Sequence, residues 1–181
     1  MLLHLDLIAA ADLQPAVRAE IIELCESAYH EDFSRLFQEL EESVHVLARD
    51  ERGLLVSHAE WVTRWLQPAG HPILRTAYVE AVATIPKYQR QGLATTVLQR
   101  LNQALRSDSV WDLGALCASA SDFYARQDWE LWQGPLAIRH GDSIEPTLSG
   151  EQVMILRLPR TPATVTTGSL LTAEWRPGEL W

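Results

Sequence analysis

Apolar and polar residues alternate over positions 2–8, and this alternation predicts a first β-strand. The next stretch places apolar residues three or four positions apart, as on the buried face of an amphipathic helix. Those residues are Val17, Ile21, Leu24, Cys25 and Ala28. We expect Asp12 to cap this helix, because an aspartate side chain accepts hydrogen bonds from free backbone N–H groups of the first turn. Pro15 is tolerated in that turn, and a shorter helix is predicted around Phe33 to Leu40.

A meander of three strands is predicted over positions 44–84. The polar residues and glycine at 50–53 form a turn between the first strand and a second one over 54–65. Pro, Ala and Gly at 68–70 form another turn, which leads into a third strand over 73–84.

The remaining elements alternate between helix and strand. A second clear helix is predicted over 92–106, followed by a buried strand over 111–116 and a short helix over 119–126. Closing strands are predicted over 129–138 and 152–158. This order of elements predicts an α/β (α+β) fold in which helices pack on the faces of a mixed sheet.

Length and composition favour one soluble domain. The chain has 181 residues, of which 47% are hydrophobic and 22% charged, and we expect residues 1–181 to form a single domain. No apolar run approaches the roughly 18 residues that would cross a bilayer, and the N-terminus lacks a basic segment, so we expect a cytoplasmic protein. Cys25 and Cys117 fit a reduced compartment, and the spacing of the six histidines predicts no metal site.

The formal net charge of −9 bears on which classes of partner the chain could bind. It argues against nucleic acid, whose binding proteins show a basic face, and against an anionic membrane surface. A negative cleft would concentrate a cationic ligand. The same charge is also explained by solubility alone.

A strand that runs into a glycine loop and then a helix is the most informative pattern in the chain. Gly92 lets the backbone approach a ligand closely, and N–H groups at the helix N-terminus then point outward. This arrangement suits an anion such as a pyrophosphate. The string Q-x-x-G-x-A also occurs at solvated helix starts, and it matches neither the Walker pattern nor G-x-G-x-x-G. The loop residues are Gln89, Arg90, Gln91, Gly92, Leu93, Ala94 and Thr95.

Q-x-x-G-x-A after a strand resembles the acetyl-CoA signature of the GCN5-related N-acetyltransferases, Q/R-x-x-G-x-G/A. Its position in the order of elements is also where that family keeps the signature. The resemblance implies a mixed, mostly antiparallel sheet of roughly six to seven strands flanked by helices, with acetyl-CoA as acetyl donor and no metal. It further implies that the backbone of Val82 and Thr84 pairs with the pantetheine arm, while Gln89 to Thr95 hold the pyrophosphate.

A second block, from Ser119 to Tyr124 with Trp129 after it, resembles the S…FY…G[FW] segment of the same family. Tyr124 matches the tyrosine that protonates the departing CoA thiolate in many members. A tyrosine with its reference pKa of about 10 stays protonated at neutral pH and can donate that proton. A core aromatic on a short helix would give the same pattern. Asp128 stands where the family has Gly, so we expect that turn to be reshaped.

Several further segments resemble the aminoglycoside 2'-N-acetyltransferases, and together they cover nearly the whole chain. The final eight residues, 174–181, resemble the [DE]-[WF]-R-x-G-D-x-W terminus of those enzymes. The other matching segments are Asp32-Phe33-Ser34, Tyr78-Val79-Glu80, Leu113-Gly114-Ala115-Leu116 and Trp129-x-x-Trp132-x-Gly134.

The narrower resemblance assigns roles to individual residues. Glu80 matches a glutamate thought to act as a remote general base through water, which is needed because an ammonium cannot attack a thioester. Asp32, Glu179 and the carboxylate of Trp181 would anchor a polyamine sugar by charge-assisted hydrogen bonds. Ser119 would bind substrate on the same side. Any one of these acids could equally be a solvated surface charge.

Four further departures, from the aminoglycoside acetyltransferase pattern, fall on the acceptor side. Leu-Gly-Gly-Met-His becomes the acidic segment 40–45, the acidic cluster is thinned at 148–151, and the serine-rich segment is altered at 117–119. Glu179 replaces the usual Asp. The expectation for the acyl donor is therefore firmer than that for the acceptor.

We expect direct acetyl transfer to a primary amine of a cationic small molecule, namely the 2'-amine of an aminoglycoside, which would give antibiotic resistance. Three other interpretations remain open. The acceptor could be a polyamine or a cell-wall amino sugar, or the chain could be a non-catalytic acyl-CoA-binding module. It could also be a structural or interaction protein whose loop pattern arose by chance. A homodimer, common in the resembled family, is a further possibility.

Overall fold

The structure, a computed structural model, describes residues 2–33, 42–147, 150–178 and 180–181. It confirms the mixed α/β class: this part of the chain forms three α-helices and ten β-strands, more strands than the six to seven that the resemblance implied. Most strand pairs are antiparallel, as expected. The helix predicted around Phe33 to Leu40 lies, apart from Phe33, outside the described residues, and so does Glu179.

The bounds of most elements agree with the predictions to within a few residues. The strands are β1 (His4–Ala9), β2 (Val44–Arg49), β3 (Leu55–Pro68), β4 (Leu74–Thr84), β5 (Leu113–Cys117), β6 (Trp129–Leu131), β7 (Leu136–His140), β8 (Ser143–Pro146), β9 (Val153–Arg157) and β10 (Leu171–Glu174). The helices are α1 (Pro15–Tyr29), α2 (Leu93–Ser107) and α3 (Ser121–Ala125), with short 3-10 turns at Ala10–Asp12 and Pro86–Tyr88. None of the helices in the described ranges is long and apolar enough to span a membrane.

The start of α1 corrects one prediction. Asp12 does not cap the helix, because it ends the 3-10 turn, while Gln14 holds the cap position without a side-chain hydrogen bond. Pro15 is the first helical residue. Its fixed backbone angle suits that position, and its missing N–H reduces the need for a side-chain cap.

The region after α3 contains the other differences. The single strand predicted over 129–138 is two strands, β6 and β7, separated at Gly134 and Pro135. Proline has no N–H to donate to a sheet, so it interrupts the pairing. β8 and β10 were not predicted: β8 is exposed along its whole length, and β10 has only four residues, so neither shows a clear alternation.

The chain forms two compact units, of which the first comprises residues 1–62 and 79–104. β2 pairs antiparallel with β1 on one side and with the beginning of β3 on the other. The apolar face of α1 packs on this sheet through a buried cluster. Its members are Ile21, Leu24, Cys25, Leu47, Leu55 and Ala83. The predicted apolar stripe of the first helix is thereby confirmed.

The second unit comprises residues 63–78 and 105–181. β5 lies parallel to the first half of β4 and antiparallel to β9, which also pairs with β6. The end of β3 pairs with β10, which runs parallel to β7, and β8 completes the hairpin with β7. The prediction that residues 1–181 form one domain stays a prediction.

Candidate active site

The loop between β4 and α2 has the backbone form of an anion-binding turn. Arg90 and Gly92 both adopt positive φ angles, of 60° and 86°, and α2 begins directly afterwards at Leu93. A Cβ atom at Gly92 would meet no other atom within 4 Å, so the space in front of this residue is open. The first N–H groups of any helix lack partners within the helix. This end of α2 therefore offers N–H donors beside open space.

Two side chains fix the loop to the elements that flank it. The Gln89 side-chain amide donates to the Thr84 carbonyl oxygen at 3.1 Å, and the amide of Gln91 donates to the Lys87 carbonyl at 3.1 Å. At the start of α2, the backbone N–H of Thr96 donates to the Gly92 carbonyl at 3.0 Å. Gln89 thus fixes the loop to the end of β4, through a contact that the sequence pattern did not indicate.

The end of β4 carries the residues that the sequence assigned to catalysis and to the pantetheine arm. Glu80, Ala81 and Val82 are all half-buried. Ala81 has a φ of 48°, a left-handed value that residues other than glycine adopt rarely. The Val82 carbonyl accepts a hydrogen bond from the Tyr29 hydroxyl at 2.7 Å. Thr84 is buried, and its hydroxyl lies 2.8 Å from that of Ser57.

Four buried side chains form a connected group that reaches the Ala81 carbonyl through His58. We call them the buried polar cluster: Ser43, His45, His58 and Glu60. Each is at most 2% exposed. The His58 Nδ1 atom is 3.0 Å from the Ala81 carbonyl oxygen, and His58 Nε2 is 3.0 Å from His45 Nδ1. His45 Nε2 is in turn 3.0 Å from the Ser43 hydroxyl, while Glu60 Oε2 lies 3.3 Å from His45 Nδ1.

The residues of this cluster show neither H-x-H nor H-E-x-x-H spacing, so these common metal-site patterns did not indicate it. The available signal was weaker: His58 and Glu60 are two apart on one strand, so they share a face. His45 lies directly opposite Glu60 in the antiparallel register of β2 and β3. His45, His58 and Glu60 are also residue types that bind metals, and their candidate ligand atoms lie within 4.8 Å of one another.

Burial shifts the pKa values of the cluster toward uncharged side chains. It raises the pKa of Glu60 to about 8, aided by the negative charge of Glu80, while the Ser43 hydroxyl and Arg18 act in the opposite direction. The Ser43 hydroxyl is near enough to act on Glu60, although neither carboxyl oxygen makes a hydrogen bond of good geometry within the described residues. Burial lowers the pKa of His45 to about 4 and that of His58 to about 3.

Tyr124, the candidate acid, lies on α3 in the second unit and is buried. Its ring contacts those of Phe123 and Trp129 edge to face, with centroid distances of 5.0 and 6.3 Å. Burial, with a smaller contribution from Cys117, raises the pKa of Tyr124 to about 12. This phenol therefore keeps its proton throughout the neutral range.

The turn before Trp129 is formed by Asp128, where the resembled family has Gly. Asp128 adopts a φ of 68°, which is the left-handed region that glycine favours and that aspartate tolerates better than most residues. Its carboxylate pairs with Arg106 at 3.0 Å. The backbone at this position thus has a conformation suited to glycine, although we expected the turn to be reshaped.

The C-terminus is fixed within the second unit. Trp181 is 5% exposed, and its indole N–H donates to the Thr147 hydroxyl at 2.8 Å. Arg64 donates to the carbonyls of Leu180 and Glu174 at 2.8 and 3.0 Å. A pocket of about 400 Å³ opens beside the terminus. Its lining includes His140, Glu145, Glu151, Trp175 and Trp181.

The predicted site residues fall in both units. Glu80, Val82, Thr84 and the loop 89–95 belong to the first unit, where one strand and the turn after it carry them. Asp32 belongs to the same unit and is exposed. Ser119, Tyr124 and Trp181 belong to the second, with Ser119 exposed on the surface. The roles assigned to all these residues stay predictions.

Comparison with known proteins establishes the class. A family model for the acetyltransferase (GNAT) domain matches residues 12–132. The chain therefore belongs to the GNAT family of acetyltransferases, as the sequence motifs indicated. An aminoglycoside 2'-N-acetyltransferase of Mycolicibacterium fortuitum is 35% identical to it over 133 residues, which are 71% of this chain and 67% of that protein.

Solved structures share the fold. A GNAT family N-acetyltransferase (YhbS) of Escherichia coli, determined in complex with CoA, matches with a TM-score of 0.66 and 17% identity. That match covers 97% of this chain and 92% of the other. A probable N-acyltransferase of Enterococcus faecalis matches with a TM-score of 0.60 and 15% identity. It covers 73% of this chain, which spans only 33% of that protein.

Proposed function

We propose that this chain is an N-acetyltransferase that transfers acetyl from acetyl-CoA to a primary amine of a cationic small molecule. The observation that carries the proposal is the loop after β4, where two residues with positive φ precede the open N-terminus of α2. N–H groups at a helix start bind phosphate, because they lack partners and lie at the positive end of the helix dipole. The family membership of the chain supports the same donor.

The cofactor would lie along β4 and end at this loop. The residues from Gln89 to Thr95 would bind the pyrophosphate of acetyl-CoA. Val82 and Thr84 would pair with the pantetheine arm through their backbone groups. Their carbonyls already accept hydrogen bonds from Tyr29 and Gln89, so the arm would use the N–H groups or the second lone pair of each oxygen.

The transfer itself needs one base and one acid. Glu80, half-buried on β4, would take the proton of the acceptor ammonium through a water molecule, leaving a neutral amine that attacks the thioester carbonyl. The C–N bond forms, the C–S bond breaks, and Tyr124 would give its proton to the departing thiolate. The acylated nitrogen then loses its remaining excess proton, which would return through water to the Tyr124 phenolate and leave the amide and the free thiol of CoA. With a pKa of about 12, the Tyr124 phenol carries the proton that this role requires at neutral pH. No covalent enzyme intermediate is involved.

For the acceptor, we propose an aminoglycoside with a 2'-amine, and hence a role in antibiotic resistance. Support comes from the relative of that name at 35% identity and from the net charge of −9, which attracts a polycation. Asp32, Ser119, Glu179 and Trp181 would bind this acceptor. Glu145 and Glu151 line the pocket beside Trp181 and would add two acids on this side.

The test is release of CoA thiol from acetyl-CoA with two aminoglycosides, one carrying a 2'-amine and the other a 2'-hydroxyl. Turnover with the amine alone is expected and would establish both the chemistry and its position. Turnover with a simple polyamine but neither aminoglycoside would replace the acceptor and keep the enzyme class. Binding of acetyl-CoA without turnover of any amine tested would favour a non-catalytic acyl-CoA-binding module.

A further inference from the structure

The left-handed residue in β4 needs something to hold it in place. A positive φ at an alanine costs roughly 1 kcal/mol or more, so it persists only where the surroundings fix it. Ala81 lies between the proposed base, Glu80, and Val82, whose backbone is proposed to meet the pantetheine arm. The backbone conformation of Ala81 therefore determines the orientation of Glu80 and Val82.

The hydrogen bonds of the buried polar cluster have only one consistent direction. A carbonyl oxygen can only accept, so the hydrogen of the neutral His58 imidazole is on Nδ1, 3.0 Å from the Ala81 oxygen. His58 Nε2 then carries a lone pair and accepts from His45 Nδ1–H at 3.0 Å. His45 Nε2 accepts in turn from the Ser43 hydroxyl at 3.0 Å. Both imidazoles are neutral near pH 7, because burial lowers both pKa values.

This direction also bears on metal binding by the same side chains. A metal needs a lone pair from each ligand atom, at about 2.0–2.1 Å for a histidine nitrogen on zinc. Here the facing nitrogens of His45 and His58 share one hydrogen, and Glu60 Oε2 lies 3.3 Å from the same His45 Nδ1. The arrangement is that of a hydrogen-bonded chain ending on the β4 backbone.

We propose that His58 is a positioning residue for the acetyl-CoA strand: its Nδ1–H holds the Ala81 carbonyl, while His45 and Ser43 fix the orientation of the imidazole. At the next residue of β4, the Tyr29 hydroxyl donates a hydrogen bond to the Val82 carbonyl at 2.7 Å. Two successive carbonyls are thus fixed by side chains from other elements. The inference rests on the proposed binding of acetyl-CoA to β4.

A matched pair of variants distinguishes the roles of the two imidazole nitrogens of His58. In His58→Asn, the side-chain amide nitrogen lies near the position of Nδ1 and can still donate to the Ala81 carbonyl. In His58→Gln, the amide nitrogen lies near the position of Nε2, so the donor to Ala81 is lost. We expect CoA affinity, measured by calorimetry, to fall less than about threefold in His58→Asn and about tenfold in His58→Gln. Melting temperatures of both variants report the purely structural loss.

Three results would overturn the inference. The first is equal loss of CoA affinity in both variants with equal loss of melting temperature, which would indicate a packing role only. The second is unchanged CoA affinity in His58→Gln. The third is zinc at one equivalent per chain in the purified protein, lost in Glu60→Gln. A wild-type protein that binds no CoA would instead refute the proposed function.

A second measurement decides the hydrogen-bond order without any substitution. Isotope-edited NMR of the imidazole nitrogens in the wild-type protein distinguishes the two neutral forms of each histidine. We expect hydrogen on Nδ1 of both His58 and His45. Hydrogen on Nε2 of His58 would contradict the proposed contact with Ala81, whether or not the variants fold.

Discussion

Replacing Tyr124 by Phe removes one hydroxyl and keeps the ring that packs against Phe123 and Trp129. If the phenol protonates the thiolate, kcat should fall about 100-fold, the lower range for a general acid, while the melting temperature stays nearly constant. Steady-state kinetics at saturating acetyl-CoA measures the effect. Unchanged turnover would remove Tyr124 from the mechanism and leave it as a core aromatic.

Gly134 is a residue for which the structure leaves no space. A Cβ atom there would fall on the Ser169 carbonyl oxygen and lie 2.7 Å from the Gly168 carbonyl carbon, both of which are backbone. We expect Gly134→Ala to lower the free energy of unfolding by about 3 kcal/mol in a urea titration. Gly168→Ala is the matched control, because nothing lies within 4 Å of its Cβ position and little change is expected. Equal losses in both variants would show that this contact is unimportant.

At the scale of elements, the loop between β4 and α2 allows a controlled test of the cofactor site. Gly92 and Gly53 have similar φ angles, 86° and 80°, and neither has an atom within 4 Å of its Cβ position. Alanine at either position should cost about 1 kcal/mol of stability, because left-handed backbone is unfavourable for it. Only Gly92→Ala should also weaken acetyl-CoA binding, by about tenfold, since its Cβ enters the proposed pyrophosphate space. Equal binding by the two variants would place the cofactor elsewhere.

The helices and strands with a regular pattern could be predicted from the sequence. Periodicity located α1 and α2, each of which buries an apolar face, while turn residues marked the ends of the meander strands, which are buried along most of their length. The sequence patterns missed β8, which is exposed throughout, and the interruption of the strand predicted over 129–138, although Pro135 was present to signal it. The Q-x-x-G-x-A string predicted the loop, whose conformation depends on local residues.

The buried polar cluster could not be predicted in the same way. His45 and His58 are 13 residues apart, and only the register between β2 and β3 brings them within hydrogen-bond distance. The alternation of apolar and polar residues indicates only on which face of its strand each histidine lies. The left-handed backbone at Ala81 likewise has no glycine to signal it.

For the whole molecule, the cluster predicts how stability depends on pH. Glu60 has a pKa raised from 4.5 to about 8, so its contribution falls as pH rises through that window. His45 and His58 have pKa values lowered from 6.5 to about 4 and about 3, so their contributions rise up to pH 6.5. Stability should therefore be highest near pH 6.5 and fall by about 2 kcal/mol toward pH 8.

Urea titrations at several pH values measure this profile. Glu60→Gln keeps the shape of the side chain and cannot ionise, so the decline between pH 6.5 and 8 should disappear in that variant. A decline of the same size in wild type and variant would mean that Glu60 does not keep its proton in the folded chain.

The proposed use of acetyl-CoA by this chain can be examined without any acceptor, by calorimetric titration of acetyl-CoA into the wild-type protein. Every proposed role of β4, of the loop 89–95 and of Tyr124 requires the cofactor. We expect saturable binding of one acetyl-CoA per chain. Absence of binding at millimolar acetyl-CoA, in a protein that melts cooperatively, would contradict it.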